Sequence, residues 1–229
     1  MEQPGPSAPE PDRPRSRGVR GLLLAAGSGS RMGGPKALLR DPSSGLTSVE
    51  RAVDTLRAGG CDGVTVVIGA AAGDVRQVVE GLGDEADLVE CRDWREGMGA
   101  SLRAGLEALA ATGAEAALVS LVDLPDVGPE VVQRLLAHEA DRTRPTCNRD
   151  GPGHGARSLA AALSRAAYGG VVGHPALIGR AHWQGVASVA RGDRGARDYY
   201  ATHPHALVEC GDLASGRDTD TPGDLESRT

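Results

Sequence analysis

The sequence predicts an α/β protein in which three layers, helix, sheet and helix, surround a mostly parallel, Rossmann-like sheet. Three observations carry that expectation. Short runs of strand-forming residues alternate with helix-length amphipathic segments. The apolar runs VRGLLLAA, VTVVIG and AEAALVSLVDLP are nearly continuous, as strands covered on both faces must be. Glycine and proline fall between these segments more than inside them.

The elements follow in chain order. Residues 1–18 (MEQPGPSAPEPDRPRSRG) are rich in proline and charge and lack an apolar stretch, so they are expected to form a disordered tail before a single domain over 19–229. VRGLLLAA (19–26) is the first strand. TSVERAVDTLRAGG supplies a Thr/Ser cap, a first-turn glutamate, apolar residues at helical spacing and a Gly-Gly stop, and is the first helix. VTVVIG (64–69) and ADLVEC (86–91) are strands flanking the short helix DVRQVVEGL. MGASLRAGLEALAATG aligns Leu102, Leu106 and Leu109 on one helical face. AEAALVSLVDLP (114–125) is a central strand ending at Asp123, and Gly128-Pro129 opens another helix. Residues 143–158 are expected to form an irregular insertion, followed by an alanine-rich helix or strand and a turn at Gly173-His174-Pro175.

Composition narrows the function. The 229 residues include 40% hydrophobic and 24% charged residues, ordinary globular proportions, and no stretch is long and apolar enough to span a membrane. A net charge of -6 argues against a nucleic-acid surface. Aromatics make up only 2% and phenylalanine is absent, so stacking platforms for bases are scarce. Cys61, Cys91, Cys147 and Cys210 stand far apart without a C-x-x-C pair, which fits a reducing cytoplasm and argues against a zinc site. His203-Pro204-His205 has no further ligand cluster and is expected to be a solvated loop.

The chemistry concentrates in LLLAAGSGSRMGGPKALL (22–39). A glycine-dense loop after a buried strand lets backbone N–H groups turn toward an anion without side chains in the way. It is not a P-loop, because Gly34 is followed by Pro35, Lys36 and Ala37. It is not the dinucleotide fingerprint either, because Met32 stands where the third glycine belongs. Lys36 is the sole lysine among 24 arginines. A compact, mobile ammonium there suits phosphates that move during a reaction, which a planar guanidinium does not match.

On these residues, the A-A-G-x-G-x-R-M-G-x-x-K loop resembles the signature of the MobA/MocA-like nucleotidyltransferases, which implies a nucleotidyltransferase (GT-A-like) form of the α/β/α fold. The resemblance implies nucleotide contacts from Ala25, Ala26, Gly27, Gly29 and Gly33, with Arg31 and Lys36 as catalytic cations. Ala25-Ala26-Gly27 is similar to the cytidylyl branch and favours CTP over GTP. Asp123, at the carboxyl edge of its strand, is placed to hold Mg²⁺. RDTDTPGDL is similar to a family stretch that makes Asp220 the second metal ligand, ahead of Asp218, while Asp126 is expected to cap a turn. CRDWREGMGASLRAG resembles the family's base and ribose segment, giving that role to Gly97 and Ser101, with Cys91 where asparagine is common. Trp94 and Met98 are expected to be packing residues. The GHP and GDxGAR segments assign acceptor contacts to His174 and Arg197. The implied reaction transfers CMP from CTP to a phosphorylated acceptor such as molybdopterin, with a molybdoenzyme as a downstream partner. Two other readings compete: an NAD(P)H-dependent oxidoreductase, because chains named nicotine blue oxidoreductase look similar, and a cofactor carrier without catalysis.

Overall fold

The structure is a computed structural model that describes residues 18–29, 33–144 and 158–218. Seven strands form one sheet: β1 (Val19–Leu24), β2 (Val64–Ile68), β3 (Ala86–Glu90), β4 (Ala116–Leu121), β5 (Leu163–Tyr168), β6 (Val171–Gly179) and β7 (Ala206–Glu209). Their order is β3-β2-β1-β4-β6-β5-β7. β6 runs antiparallel to β4 and β5, and all other neighbours pair parallel.

Period-two alternation divides the core between the two faces. From β1, Val19 and Leu23 join α1 (Ser48–Ala58), α2 (Ala72–Glu80) and α4 (Pro129–Thr143) on one side. Leu22 and Leu24 join α3 (Met98–Ala110), α5 (Trp183–Val189) and α6 (Arg197–Thr202) on the other. This is the expected three-layer arrangement. Gly21 sits where a Cβ would come within 3.1 Å of Leu56, so the small residue lets α1 press onto the sheet.

Local chemistry accounts for the element ends. Thr47 and Glu50 form a complete capping box on α1, with the Glu50 carboxylate accepting from the Thr47 amide at 2.6 Å. Pro129 occupies the first turn of α4, where no amide is needed.

The expected central strand is shorter than its apolar run. β4 ends at Leu121, and Asp123 stands two residues beyond it. The expected turn at Gly173-His174-Pro175 is instead a bulge inside β6. Gly169 and Gly170, with φ of 59° and 81°, make the β5–β6 hairpin turn. Arg165 then pairs with Ala176 and Ala167 with Val172, so Ala166 faces the three-residue excursion Gly173 to Pro175. A proline, lacking an amide, is tolerated there because no ladder bond is required of it. The alanine-rich segment resolves as β5. Most of the expected insertion, residues 145–157, and the tail 1–17 lie outside the described residues.

Candidate nucleotide and acceptor sites

The strand order reverses between β1 and β4, because β2 and β3 extend to one side of β1 and β4 lies on the other. The crevice at the carboxyl ends of such a pair is where open α/β sheets bind ligands. A cleft of about 690 Å³ opens there. Its walls include Ala26, Gly27, Ser28 and Gly29 after β1, Asp123 after β4, and Trp94, Gly97, Met98 and Ser101 at the start of α3.

Lys36 begins a single 3-10 turn, Lys36–Leu38, at the far end of the glycine loop. Its Nζ donates to Asp123 Oδ2 at 2.8 Å, joining residues 87 positions apart. Both side chains are mostly shielded from water, at 18% and 17% exposure, which strengthens their interaction relative to a surface pair. Asp123 Oδ1 is buried and has no hydrogen-bond partner among the described residues. A carboxylate oxygen in that condition costs stability unless something cationic or protic uses it.

Two glycines set the backbone around this pair. Gly29 has φ of 58°, and a Cβ there would overlap the Gly34 carbonyl oxygen, so the loop folds back on itself only with glycine at this position. Gly97 has φ of 106°, and its Cβ would lie 2.6 Å from Asp193 Oδ1. That close approach brings the Gly192–Arg194 turn against the start of α3. Arg103 fastens the same junction by donating to the Ala190 carbonyl at 2.7 Å and to Glu96 Oε2 at 2.7 Å.

The first turn of α3 carries no acidic side chain and no side-chain cap, and Gly97, Met98 and Ser101 of that turn line the cleft. A helix start of this kind favours anionic guests. Behind it, Ser101 is hydrogen-bonded to the Cys91 thiol, whose pKa is raised chiefly by burial. Trp94 approaches Ala26 across Gly69, where a Cβ would meet either residue within 2.8 Å.

A second pocket of about 110 Å³ shares Leu24, Met98 and Asp193 with the cleft and is otherwise separate. Arg165, His174, Arg197 and Tyr200 contribute to its lining. Arg165 lies with its guanidinium carbon 5.0 Å from the Tyr200 ring centre and donates to the Gly173 carbonyl at 3.3 Å. The His174 pKa is pushed down to about 4 by burial, with the positive charge of Arg165 adding to the effect. Its imidazole is therefore neutral near pH 7.

The expected site residues thus separate into three groups. Lys36, Asp123, Ala26, Gly27, Gly29, Gly97 and Ser101 converge on the cleft. His174 and Arg197 meet in the adjoining pocket. Ala25 is 1% exposed and packs in the core, and Gly33 lies in the loop with φ of 76°, neither forming a cleft wall. Arg31 and Asp220 lie outside the described residues. Asp218 is exposed, and Asp126 holds the C-terminal segment by accepting from the Ser215 amide at 2.6 Å.

Several lining residues were not anticipated as functional. Trp94 and Met98, expected to pack, do pack against the core and also border the cleft. Arg95 also borders it, with its guanidinium carbon 4.5 Å from the Trp94 ring centre. Ser28 and Asp193 lie in segments already expected to meet the phosphates and the acceptor, whereas Arg165 had no such expectation. The glycine run around Ser28 was a usable signal, whereas nothing local in Leu163–Tyr168 distinguishes Arg165 from a strand residue facing water.

Comparison with known proteins agrees with this geometry. The MobA-like NTP transferase domain matches residues 21–207. Nicotine blue oxidoreductase of Paenarthrobacter nicotinovorans is 39% identical over 213 residues, covering 89% of this chain and 92% of that protein. Molybdenum cofactor guanylyltransferase of Rhodobacter capsulatus is 35% identical over 121 residues, which is 52% of this chain and 58% of the relative. Among solved structures, Rv0371C of Mycobacterium tuberculosis H37Rv in complex with manganese superposes with a TM-score of 0.63 at 25% identity, covering 92% of this chain and 96% of that one.

Proposed function

Since the chain belongs to the MobA-like NTP transferase family, we propose that it transfers CMP from CTP to a phosphorylated acceptor such as molybdopterin and releases pyrophosphate. The observation that carries this reading is the Lys36–Asp123 pair at 2.8 Å beside the Gly27–Gly29 loop. The glycine loop and the start of α3 present amides to the triphosphate, and Lys36 supplies a cation able to follow it. An acceptor phosphate oxygen forms the new bond to the α-phosphorus. The bond from that phosphorus to the bridging oxygen breaks, and pyrophosphate leaves with the electron pair. The nucleophile is already ionised at neutral pH, so alignment and charge neutralisation supply the rate rather than a side-chain base.

Asp123 Oδ1, buried and unpartnered, fits a divalent cation as its ligand. A relative of the same fold is known with manganese, and Mg²⁺ is the corresponding choice for a triphosphate. When bound, such an ion would neutralise phosphate charge and fix its geometry. Asp220 is the second ligand by resemblance. Ala26, held against Gly69 and Trp94 at the inner wall, is the residue on which the preference for CTP rests.

Pyrophosphate release with each of the four nucleoside triphosphates, Mg²⁺ and molybdopterin tests the proposal. CTP is expected to be fastest, and turnover without a partner protein excludes a carrier-only role. Absence of release from every triphosphate across a panel of phosphorylated acceptors sinks it. Identity of 39% to a chain named nicotine blue oxidoreductase supports a second, redox reading. Thermal shifts separate the two: NADPH stabilising the protein while CTP with Mg²⁺ does not favours the redox reading, and the reverse favours transfer.

A further inference from the structure

The 110 Å³ pocket contains a charge arrangement that folding alone does not explain. Arg165 and Arg197 line the same pocket; burial lowers the Arg165 pKa most, Tyr200 opposes this, and Arg197 lowers it further. Neither has a carboxylate partner among the described ion pairs, whereas neighbouring Arg194 is paired with Asp198 at 2.5 Å. Arg165 Nε is buried without a hydrogen-bond partner. The orphaned N–H of half-buried Arg165 costs stability unless an anion uses it, and exposed Arg197 adds a second cation to the same lining. Asp193 on the shared wall offsets one charge, leaving the pocket net positive. Neutral His174 adds a group that can donate to an oxyanion without a further cation.

Size limits the guest. A volume near 110 Å³, against about 690 Å³ for the adjoining cleft, suits a compact group such as a carboxylate or phosphate. Position limits its role. Lys36 and Asp123 line the cleft and not this pocket, so a group seated here is not the one attacking the α-phosphorus.

Resting on the nucleotidyl-transfer reading, we propose that the acceptor carries a second compact oxyanion, distinct from its reacting phosphate, and that Arg165 and Arg197 bind it in this pocket. The acceptor class is then a phosphorylated acid or a bisphosphate, which keeps CMP transfer to a phosphorylated acceptor but excludes molybdopterin, whose single phosphate would be the attacking group. An acceptor whose sole anion is the attacking phosphate leaves Arg165 unused.

Calorimetric titration with inorganic phosphate, and in parallel with malonate, tests this on the full chain. Wild type is compared with Arg165→Gln, Arg165→Lys, Arg197→Gln and Lys36→Met. Phosphate affinity should fall at least tenfold in Arg165→Gln and Arg197→Gln, recover in part in Arg165→Lys, and persist in Lys36→Met. Tighter malonate than phosphate binding identifies a carboxylate, and the reverse a phosphate. Arg197 is exposed at the start of α6, so its variant remains informative if Arg165→Gln fails to fold. No phosphate or malonate binding to wild type, binding indifferent to both arginines, or binding lost only in Lys36→Met overturns the proposal. Titration with CTP and Mg²⁺ keeps the two readings apart. If wild type ignores CTP while phosphate still depends on Arg165, nucleotidyl transfer fails and the anion pocket stands. If CTP binds through Lys36 and phosphate ignores both arginines, transfer stands and the pocket fails.

Discussion

In the larger cleft the Lys36 ammonium lies 2.8 Å from the Asp123 carboxylate, so the two central charges of that site oppose each other. In the smaller pocket Arg165 and Arg197 share one lining, and among the described residues there Asp193 is the acidic side chain that offsets them. The contrast separates two kinds of recognition. A matched pair beside glycine amides suits a guest carrying both signs, a polyphosphate together with a cation. A net positive pocket suits a bare anion. Met98 and Leu24, apolar members of the shared wall, stand between the two regimes.

The largest effect expected from this contrast is on turnover. Asp123→Asn keeps the shape of the cleft while removing its negative charge, and Lys36→Met removes its positive one. Each should lower pyrophosphate release by roughly 10²–10³-fold, the range seen when a preorganised charge-stabilising group is lost. Near-wild-type release by either variant, measured with saturating CTP and acceptor, breaks the assignment of the cleft as the reacting site.

Gly29→Ala sharpens the contrast through the backbone. Alanine meets both a positive φ and the Gly34 carbonyl, so the loop must open. The cost is on the order of 1–3 kcal/mol and falls on the nucleotide-binding conformation. CTP binding should weaken about tenfold or more by calorimetry while phosphate at Arg165 is unaffected. Equal binding by wild type and variant shows that the loop amides do not hold the triphosphate.

Acid stability distinguishes the pocket from the cleft. The His174 pKa lies near 4 in the folded protein against an ordinary value of 6.5. Above pH 6.5 the imidazole is neutral in both states and contributes no pH dependence. As pH falls below 6.5, the unfolded chain takes up a proton that the folded one refuses until about pH 4, so stability declines across that window. The contribution reaches about 2 kcal/mol at pH 5. Urea unfolding at pH 7.5 and 5.0 should show His174→Asn losing about that much of the wild-type decline; an identical decline in both proteins means the imidazole is solvated.

Legibility in the sequence divides along the same line. The β1 to β4 half was readable because its signals are local: continuous apolar strands, the Thr47/Glu50 cap, and the Pro129 helix start. The glycine loop was readable because left-handed backbone at Gly29 admits few other residues. The pocket half was not, since Arg165, His174 and Arg197 meet only through the β5–β6 bulge and the start of α6. The hairpin was signalled by Gly169-Gly170, yet the nearby proline drew the turn to Gly173-His174-Pro175. A proline inside a strand reads as a break until the partner strand is known to leave it unpaired. Trp94 packs against the core as expected, and its place on the cleft wall as well became visible only from Gly69 opposite, where a Cβ would meet both Trp94 and Ala26.

Trp94 therefore supplies the smallest and most selective expectation. Its ring borders the cleft and stacks with the Arg95 guanidinium, whose carbon lies 4.5 Å from the ring centre, so the indole already holds one planar group. A nucleotide base is planar too, and an aromatic contact of this type contributes about 0.5–1.5 kcal/mol. Trp94→Ala should raise the KM for CTP about three- to tenfold with kcat retained at saturation, and Trp94→Tyr should recover most of the loss. The small pocket has no part in base binding, so phosphate affinity there should not change. A fall in kcat with KM unchanged, or no rescue by tyrosine, assigns Trp94 to packing against Ala26 and leaves base recognition to the Gly97–Ser101 segment.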